Sequence, residues 1–224
     1  MHIGLIGGIG PASTVFYYRG LVSAFEALGQ ELHLTIGHTD VHRLVANVNA
    51  GRPDLQAAEY HRITKQLAAA GADAVAITSM GGHFCAPEFE KVSPLPILNG
   101  PRAVAAALHE QGLGRVGIIG TRVVMETGLY GSIQGIDVVV PLGAALDQVH
   151  EDYIAVGTTG VATPNQHERL VIMARRLIEE QGAEAVILGG TDLFVVFEHE
   201  VLDFTVIDSA EVHIEAIVKA AVGG

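Results

Sequence analysis

Cysteine occurs once in the 224 residues and tryptophan not at all, and aromatic residues make up only 5%. A single thiol excludes an internal disulfide framework and a cysteine-rich zinc site. With so few rings, any core must be built mainly from aliphatic side chains. Positive charge is scarce too. Thirteen Lys and Arg stand against 25 Asp and Glu, a net charge of −12. That balance disfavours an electrostatic grip on nucleic acid or an anionic membrane, while leaving room for a small anion in a locally positive pocket. No apolar run reaches membrane-spanning length. The chain opens on a strand-like HIGLIG without the features of a signal peptide, so a cytoplasmic protein with neither nucleic-acid nor membrane partner is expected. What is plentiful is glycine, 27 residues of it, in a chain that is 49% hydrophobic and 17% charged. This is a globular composition, sufficient for one large domain or two small lobes.

Two pairs of echoes organise the chain. Residues 71–79 read GADAVAITS and residues 182–190 read GAEAVILGG; residues 4–7 read GLIG and residues 117–120 read GIIG. Gly7 precedes Ser79 by nearly the same separation as Gly120 precedes Gly190. Two echoes in step point to an internal duplication. Ser79 and Gly190 then stand at equivalent places, after buried parallel strands, where open α/β sheets receive ligands.

The local pattern fits. Apolar runs at 2–6, 32–36, 74–77, 96–98, 116–119, 138–140, 185–188 and 205–207 read as short strands. Between them lie helical stretches opened by Pro11, Pro53, Pro101 and Pro164 and closed by Gly29, Gly71 and Gly112. Thr163, Pro164 and Gln166 form a capping-box signal, followed by an apolar stripe of Leu170, Ala174, Leu177 and Ile178. His38, Thr39 and Asp40 read as a loop, and 124–130 and 145–156 as helices. The expected fold class is α/β: two similar doubly wound lobes with parallel sheets, pseudo-symmetric by duplication, with the site in the cleft between them. Residues 1–98 plus 208–224 form the first lobe in this reading, and 99–207 the second.

The Gly8-Ile9-Gly10 loop invites a dinucleotide reading, but Ser13 stands where the third glycine belongs. Asp40 also lies beyond the ~20 residues at which the acidic partner is expected. The simpler role is a tight turn feeding a helix whose N-terminal N–H groups can hold a carboxylate or phosphate. Among the eleven histidines, His38 and His42 are four apart but His38 reads as loop, His83 has no near partner, and His199 sits between glutamates. No metal site is expected. Cys85 reads either as a small buried residue or as a nucleophile or base needing a neighbour to lower its pKa. Thr191 and Asp192 read equally as helix cap and as ligand-binding groups.

Four motifs resemble the aspartate/glutamate racemase family, nearly end to end. GLIGGIGP with Ser13 and Thr14 looks like its opening loop. GTRVVMETGLY, residues 120–130, is similar to its second-half loop. ILGGTDL, residues 187–193, resembles its Leu-Gly-Cys-Thr-Glu signature, and ITSMGGH, residues 77–83, stands where the family has Cys-Asn-Thr and then a His. The resemblance implies a cofactor-independent enzyme, commonly a homodimer, in which one thiolate removes the α-proton of a small acidic substrate and an opposite thiol returns it.

Both of those cysteines are missing. The first falls on Ser79 and the second on Gly190, while Met80 and Gly81 replace the Asn and Thr. His83, Thr121, Thr191 and the acidic Asp192 match. A serine hydroxyl is a poor base near neutral pH without an activating partner, and glycine has no titratable group. Two-thiol racemisation is therefore excluded. What remains is an isomerase or lyase acting at the carbon next to a carboxylate, a racemase with substituted bases, or a binding protein for a small acidic metabolite. The candidate acid–base groups are Ser79, His83, Asp192 and Cys85. Gly8, Gly10, Gly81, Thr121, Gly190 and Thr191 are the candidate substrate-binding residues, with no metal and no cofactor. The glycine at 190 suggests space for a bulkier ligand or a water.

Overall fold

The computed structural model describes residues 1–198 and 201–223. His199 lies outside them. The chain divides into two compact units, Met1–Gly100 with His213–Gly224, and Pro101–Val212.

The first unit begins with β1 (Ile3–Gly7), α1 (Pro11–Leu28), β2 (Leu34–His38), α2 (Val41–Asn49) and α3 (Pro53–Ala69). It continues through β3 (Ala74–Ile77), α4 (Ala86–Val92) and β4 (Ile97–Leu98) to the start of α5 (Gly100–Glu110). Its four strands are parallel, in the order β2-β1-β3-β4. Both β1 and β3 are buried along their whole length, which is why their sequences are continuous apolar runs without alternation. Ile6, Ile63, Leu67, Val75 and Ile77 fill the core with Tyr60 and Phe89, whose rings meet edge to face at 5.4 Å.

Two expectations shift here. The second strand runs from Leu34 to His38 rather than from Leu32 to Ile36, so His38 ends a strand and does not lie in a loop. Helix α2 has no counterpart in the sequence reading. Its signal was present: Asp40 caps it, accepting the His42 N–H at 2.7 Å, and Leu44 and Asn47 are its buried face.

The second unit holds the rest of α5, then β5 (Arg115–Ile119), α6 (Arg122–Gly131), β6 (Asp137–Val139), α7 (Ala144–Thr159) and α8 (Pro164–Glu179). It continues with β7 (Ala185–Leu188), a short α9 (Phe194–Phe197), β8 (Thr205–Asp208) and the start of α10 (Ser209–Val222). Its strands are parallel in the order β6-β5-β7-β8, the same winding as in the first unit. The capping box at Thr163 and Gln166 is formed. Helix α6 departs from expectation. Gly128, Leu129 and Tyr130 have φ of 56°, 53° and 59°, so the right-handed helix stops at Thr127. Left-handed backbone costs Leu and Tyr energy that Gly does not pay.

In both units the strand order reverses between the first and third strands. Residues after β1 and β3, and after β5 and β7, therefore stand at a topological switch point, where this kind of sheet binds its ligands. Among the described residues, no helix is long and apolar enough to cross a membrane.

Candidate active-site residues in each unit

In the first unit the glycine loop after β1 is braced against the end of β3. Gly8 donates its N–H to the Thr14 hydroxyl at 2.9 Å, and the Ser13 hydroxyl donates to the Thr78 carbonyl at 2.6 Å. The Thr14 and Thr78 hydroxyls lie 3.1 Å apart. Gly8 has φ 87°, and a Cβ there would stand 2.5 Å from Nδ1 of His38. Its service is to the shape of the loop, since its N–H is already committed to Thr14. Gly10, also at positive φ, precedes Pro11 as the N-cap of α1.

Ser79 follows β3 and is 5% exposed. Its hydroxyl accepts the N–H of Gly82 at 3.2 Å. Gly81 opens the one-turn helix Gly81–Cys85 that carries His83 and Cys85. His83 meets Ser79 through the backbone carbonyl, at 2.8 Å from Nδ1, and not through the hydroxyl. Its Nε2 accepts the N–H of Gly100 at 3.3 Å. Nε2 therefore carries no proton and Nδ1 does, which fixes a neutral tautomer. Burial pushes the His83 pKa down to about 4, against the opposing pull of its backbone bonds. Both nitrogens are engaged with backbone, so His83 bridges the β3 exit and Gly100.

Cys85 takes its bland reading. It is fully buried in the core with Tyr60, Ile77 and Phe89, and its thiol lies 3.7 Å from the Gly82 carbonyl. Burial pushes its pKa up to about 12. A thiol so placed is neither nucleophile nor base at neutral pH.

One polar element of this unit escaped the sequence reading. His213, on α10, is fully buried. Its Nε2 faces the Leu98 carbonyl at 2.8 Å and its Nδ1 faces the Tyr17 hydroxyl at 2.9 Å. Its ring stands edge to face against His83 at 6.1 Å. Burial first, and then the neighbouring His83, lower its pKa to about 3. No local spacing could have flagged it, because its partners lie more than a hundred residues away in sequence.

In the second unit Thr121 caps α6, its hydroxyl accepting the Val124 N–H at 3.3 Å. Thr191 and Asp192 are buried in the one-turn helix Thr191–Leu193 that follows Gly190. The expected space at Gly190 does not exist. A Cβ on residue 190 would collide with the ring of Tyr153, from α7, and even the ring atom Cδ2 would stand only 2.7 Å away. The Tyr153 hydroxyl reaches Oδ2 of Asp192 at 3.4 Å. Burial, then the negative charge of Asp192, raises the phenol pKa well above its ordinary value. Tyr130, on the left-handed turn, is near enough to add to that rise. The Thr191 hydroxyl is fully buried and lies close enough to the Tyr153 hydroxyl to offset part of that rise. Beside this group, His150 accepts the Arg122 N–H at Nδ1 at 3.2 Å, and Arg122 itself pairs with Glu126 and Asp147.

A carboxyl of unusual acidity completes this end of the sheet. Asp208 ends β8 and accepts the N–H groups of Ala210 and Glu211 at 2.7 and 3.3 Å. Burial outweighs these bonds and lifts its pKa to about 7. No group of three or more His, Cys, Asp or Glu among the described residues is gathered as a metal site.

The fold recurs in solved structures. A candidate Asp/Glu racemase from Yersinia pestis is 25% identical, with TM-score 0.86, and the match covers 99% of this chain and all of that one. An aspartate racemase homologue from Pyrococcus horikoshii is 24% identical over 99% of each chain, with TM-score 0.80. The aspartate racemase of Picrophilus torridus is 23% identical over 99% of this chain and 94% of its own, with TM-score 0.78. Residues 6–217, which hold both glycine loops and both strand-end positions, match the family model for Asp/Glu/hydantoin racemases. With that match spanning nearly the whole chain, and its paired sheets wound as in those structures, the protein belongs to the Asp/Glu/hydantoin racemase family.

Proposed function

We propose that this chain is a cofactor-independent isomerase or lyase acting at the carbon next to the carboxylate of a small amino or dicarboxylic acid, without a pair of thiols. Family membership supports an amino-acid racemase-like function. One observation carries the finer reading. The only cysteine is locked in the first unit's core with a pKa of about 12, while the two strand-end positions carry Ser79 and Gly190. At pH 7 such a thiol is ionised only about once in 10⁵ molecules. The groups left to meet a substrate are the Ser79 hydroxyl in one unit, and Thr121, Thr191 and Asp192 in the other. Hydroxyls suit a carboxylate, and the buried Asp192 suits the ammonium of an amino acid.

A second reading has its own support. His83 has both nitrogens on backbone, Cys85 is core, and the place beside Gly190 is filled by a ring. So little free acid–base capacity fits a protein that binds a small acidic metabolite and does not turn it over. One experiment separates the two. The protein is incubated in D₂O with aspartate, glutamate and related dicarboxylic acids, and the α-proton is followed by NMR. Loss of that signal, or a new product, supports the enzyme. Unchanged spectra, with a melting temperature still raised by one of the acids, replace it with the binding protein.

A further inference from the structure

His150, on α7, is a residue that the sequence reading passed over. We propose that it is the hydrogen-bond donor the second unit presents to a carboxylate oxygen of its small acid: a neutral imidazole at the solvent-facing rim of the β5 and β7 exits, which holds the ligand and passes no proton to it. The proposal rests on the reading of the protein as one that takes a small acidic ligand.

Placement comes first. β5 and β7 are neighbours in the sheet, and one face of α7 touches the chain after both of them. Tyr153 lays its ring against Gly190, and Gly157 stands beside Asp192, where a Cβ would lie 3.4 Å from Oδ2. His150, one turn before Tyr153 on the same face, reaches the β5 exit, where its Nδ1 accepts the Arg122 N–H at 3.2 Å. The inner end of this row is closed by the buried tyrosine ring. Its outer end is open, since His150, Thr121 and Arg122 are only partly buried. The place a ligand reaches from solvent is therefore at His150 and not at Gly190.

The hydrogen bonds fix what His150 can do. Arg122 is the first residue of α6, and its N–H has no partner within that helix. Because Nδ1 accepts this N–H it carries no proton, and the proton of the neutral ring sits on Nε2. Nε2 has no hydrogen-bond partner among the described residues and is not one of the buried orphan atoms, so it meets solvent with a proton to offer. Thr121, next to Arg122, stands beside it with a second donor: its hydroxyl accepts the Val124 N–H and keeps its own proton.

The surrounding charges keep the ring neutral. Burial, and then the Arg122 guanidinium, lower the His150 pKa, while Glu151 and Asp147 on its own helix pull the other way. Asp147 is itself paired with Arg122, as is Glu126. To act as a base, His150 would have to take a proton on Nδ1 and set two N–H groups against each other at Arg122. To act as an acid, the neutral ring would have to become an imidazolate. What is left is donation. A neutral imidazole tied in this way polarises a carboxylate or carbonyl oxygen and keeps its proton.

Thermal shifts with aspartate, glutamate and related dicarboxylic acids test the donor on wild type, His150→Gln and His150→Leu. A glutamine can accept the Arg122 N–H through its amide oxygen and donate through its amide nitrogen, but it cannot transfer a proton. Each rise is taken over the variant's own ligand-free Tm, so that a loosened α6 cancels. His150→Leu should weaken binding of the stabilising acid about tenfold or more, and His150→Gln should stay within about threefold of wild type. A leucine variant protected as fully as wild type overturns the donor role and leaves the small-acid reading standing. A glutamine variant as weak as the leucine one overturns it too, because donation alone would not explain the need for an imidazole. If no acid of the panel raises the wild-type Tm, the small-acid reading falls and the donor role falls with it. Nitrogen-15 NMR of the wild-type imidazole does not depend on either variant folding. At neutral pH His150 should carry its proton on Nε2 alone, and the stabilising acid should shift the Nε2 signal. A proton on Nδ1, or an Nε2 signal unmoved by a saturating acid, overturns the proposal.

Discussion

The two units share a strand order, a switch point and a glycine loop, yet the ends of their third strands are built in opposite ways. After β3 the chain keeps side chains and ties them to backbone: Ser79 to Gly82, His83 to Ser79 and Gly100, His213 to Leu98 and Tyr17. After β7 the chain gives up the side chain at 190 and lets a distant helix supply a ring. The first solution is rigid and neutral. The second is crowded and acidic. Duplicated scaffolds constrain where a site lies; they leave open what stands there.

The same substitution at the two equivalent positions should expose the contrast, and it gives the largest expected effect. Gly190→Ala is expected to cost about 3 kcal/mol or more, because the new methyl must displace a buried ring. Ser79→Ala removes a hydroxyl and leaves the Gly82 N–H without that acceptor, a loss of about 1–2 kcal/mol. Urea unfolding of the two variants measures both. Equal costs would mean the strand ends are not built differently after all.

Much of this was legible in the sequence, and the failures share a cause. The buried strands, the capping box at Thr163 and the duplication are written in local spacing. So is the identity of positions 79 and 190. Tyr153, His213 and the left-handed turn at Tyr130 were not legible, since each owes its role to residues distant in the chain or to a backbone conformation that Leu and Tyr rarely choose. The space expected at Gly190 failed for the same reason. A glycine tells what is missing at its own position, and only packing tells what fills it.

Acidity sharpens the comparison next, with a smaller effect for each group. His83 and His213 have folded pKa values of about 4 and about 3, below the ordinary value of 6.5. The unfolded chain therefore binds more protons between pH 6.5 and 4, and stability is lost as pH falls through that window. Asp208 runs the other way. Its folded pKa, about 7, lies above the usual 3.8, so the folded state binds the extra proton and stability declines as pH rises from about 4 to 7. Lowering the pH from 6.5 to 4.5 should weaken the first unit by about 2 kcal/mol for each of the two histidines and strengthen the second by about 2 kcal/mol as Asp208 takes up its proton. Native-state hydrogen exchange on β1 and β3 against β5 and β7 measures the difference; parallel losses in both would count against it. Asp208→Asn keeps the cap on α10 and removes the buried charge. It should add about 1 kcal/mol at pH 8 and nothing at pH 4, as urea midpoints at the two values would report.

The smallest effect is the most discriminating about what Tyr153 does for the folded protein by itself. Its ring fills the volume at Gly190, while its hydroxyl makes one long bond, 3.4 Å, to Asp192. If packing is the structural task, Tyr153→Phe should leave ligand-free stability within about 0.5–1 kcal/mol of wild type, since a long buried hydrogen bond is traded for nothing but its own desolvation. Tyr153→Leu, which keeps an apolar side chain but loses the flat ring, should cost about 2–3 kcal/mol by leaving a cavity under Gly190. Equilibrium unfolding gives both values. A Phe variant as unstable as the Leu variant would shift the weight from ring to hydroxyl. The Tyr153–Asp192 pair would then be a structural clamp of the kind His83 provides in the first unit, and the contrast between the two strand ends would narrow to a difference in which residues do the tying.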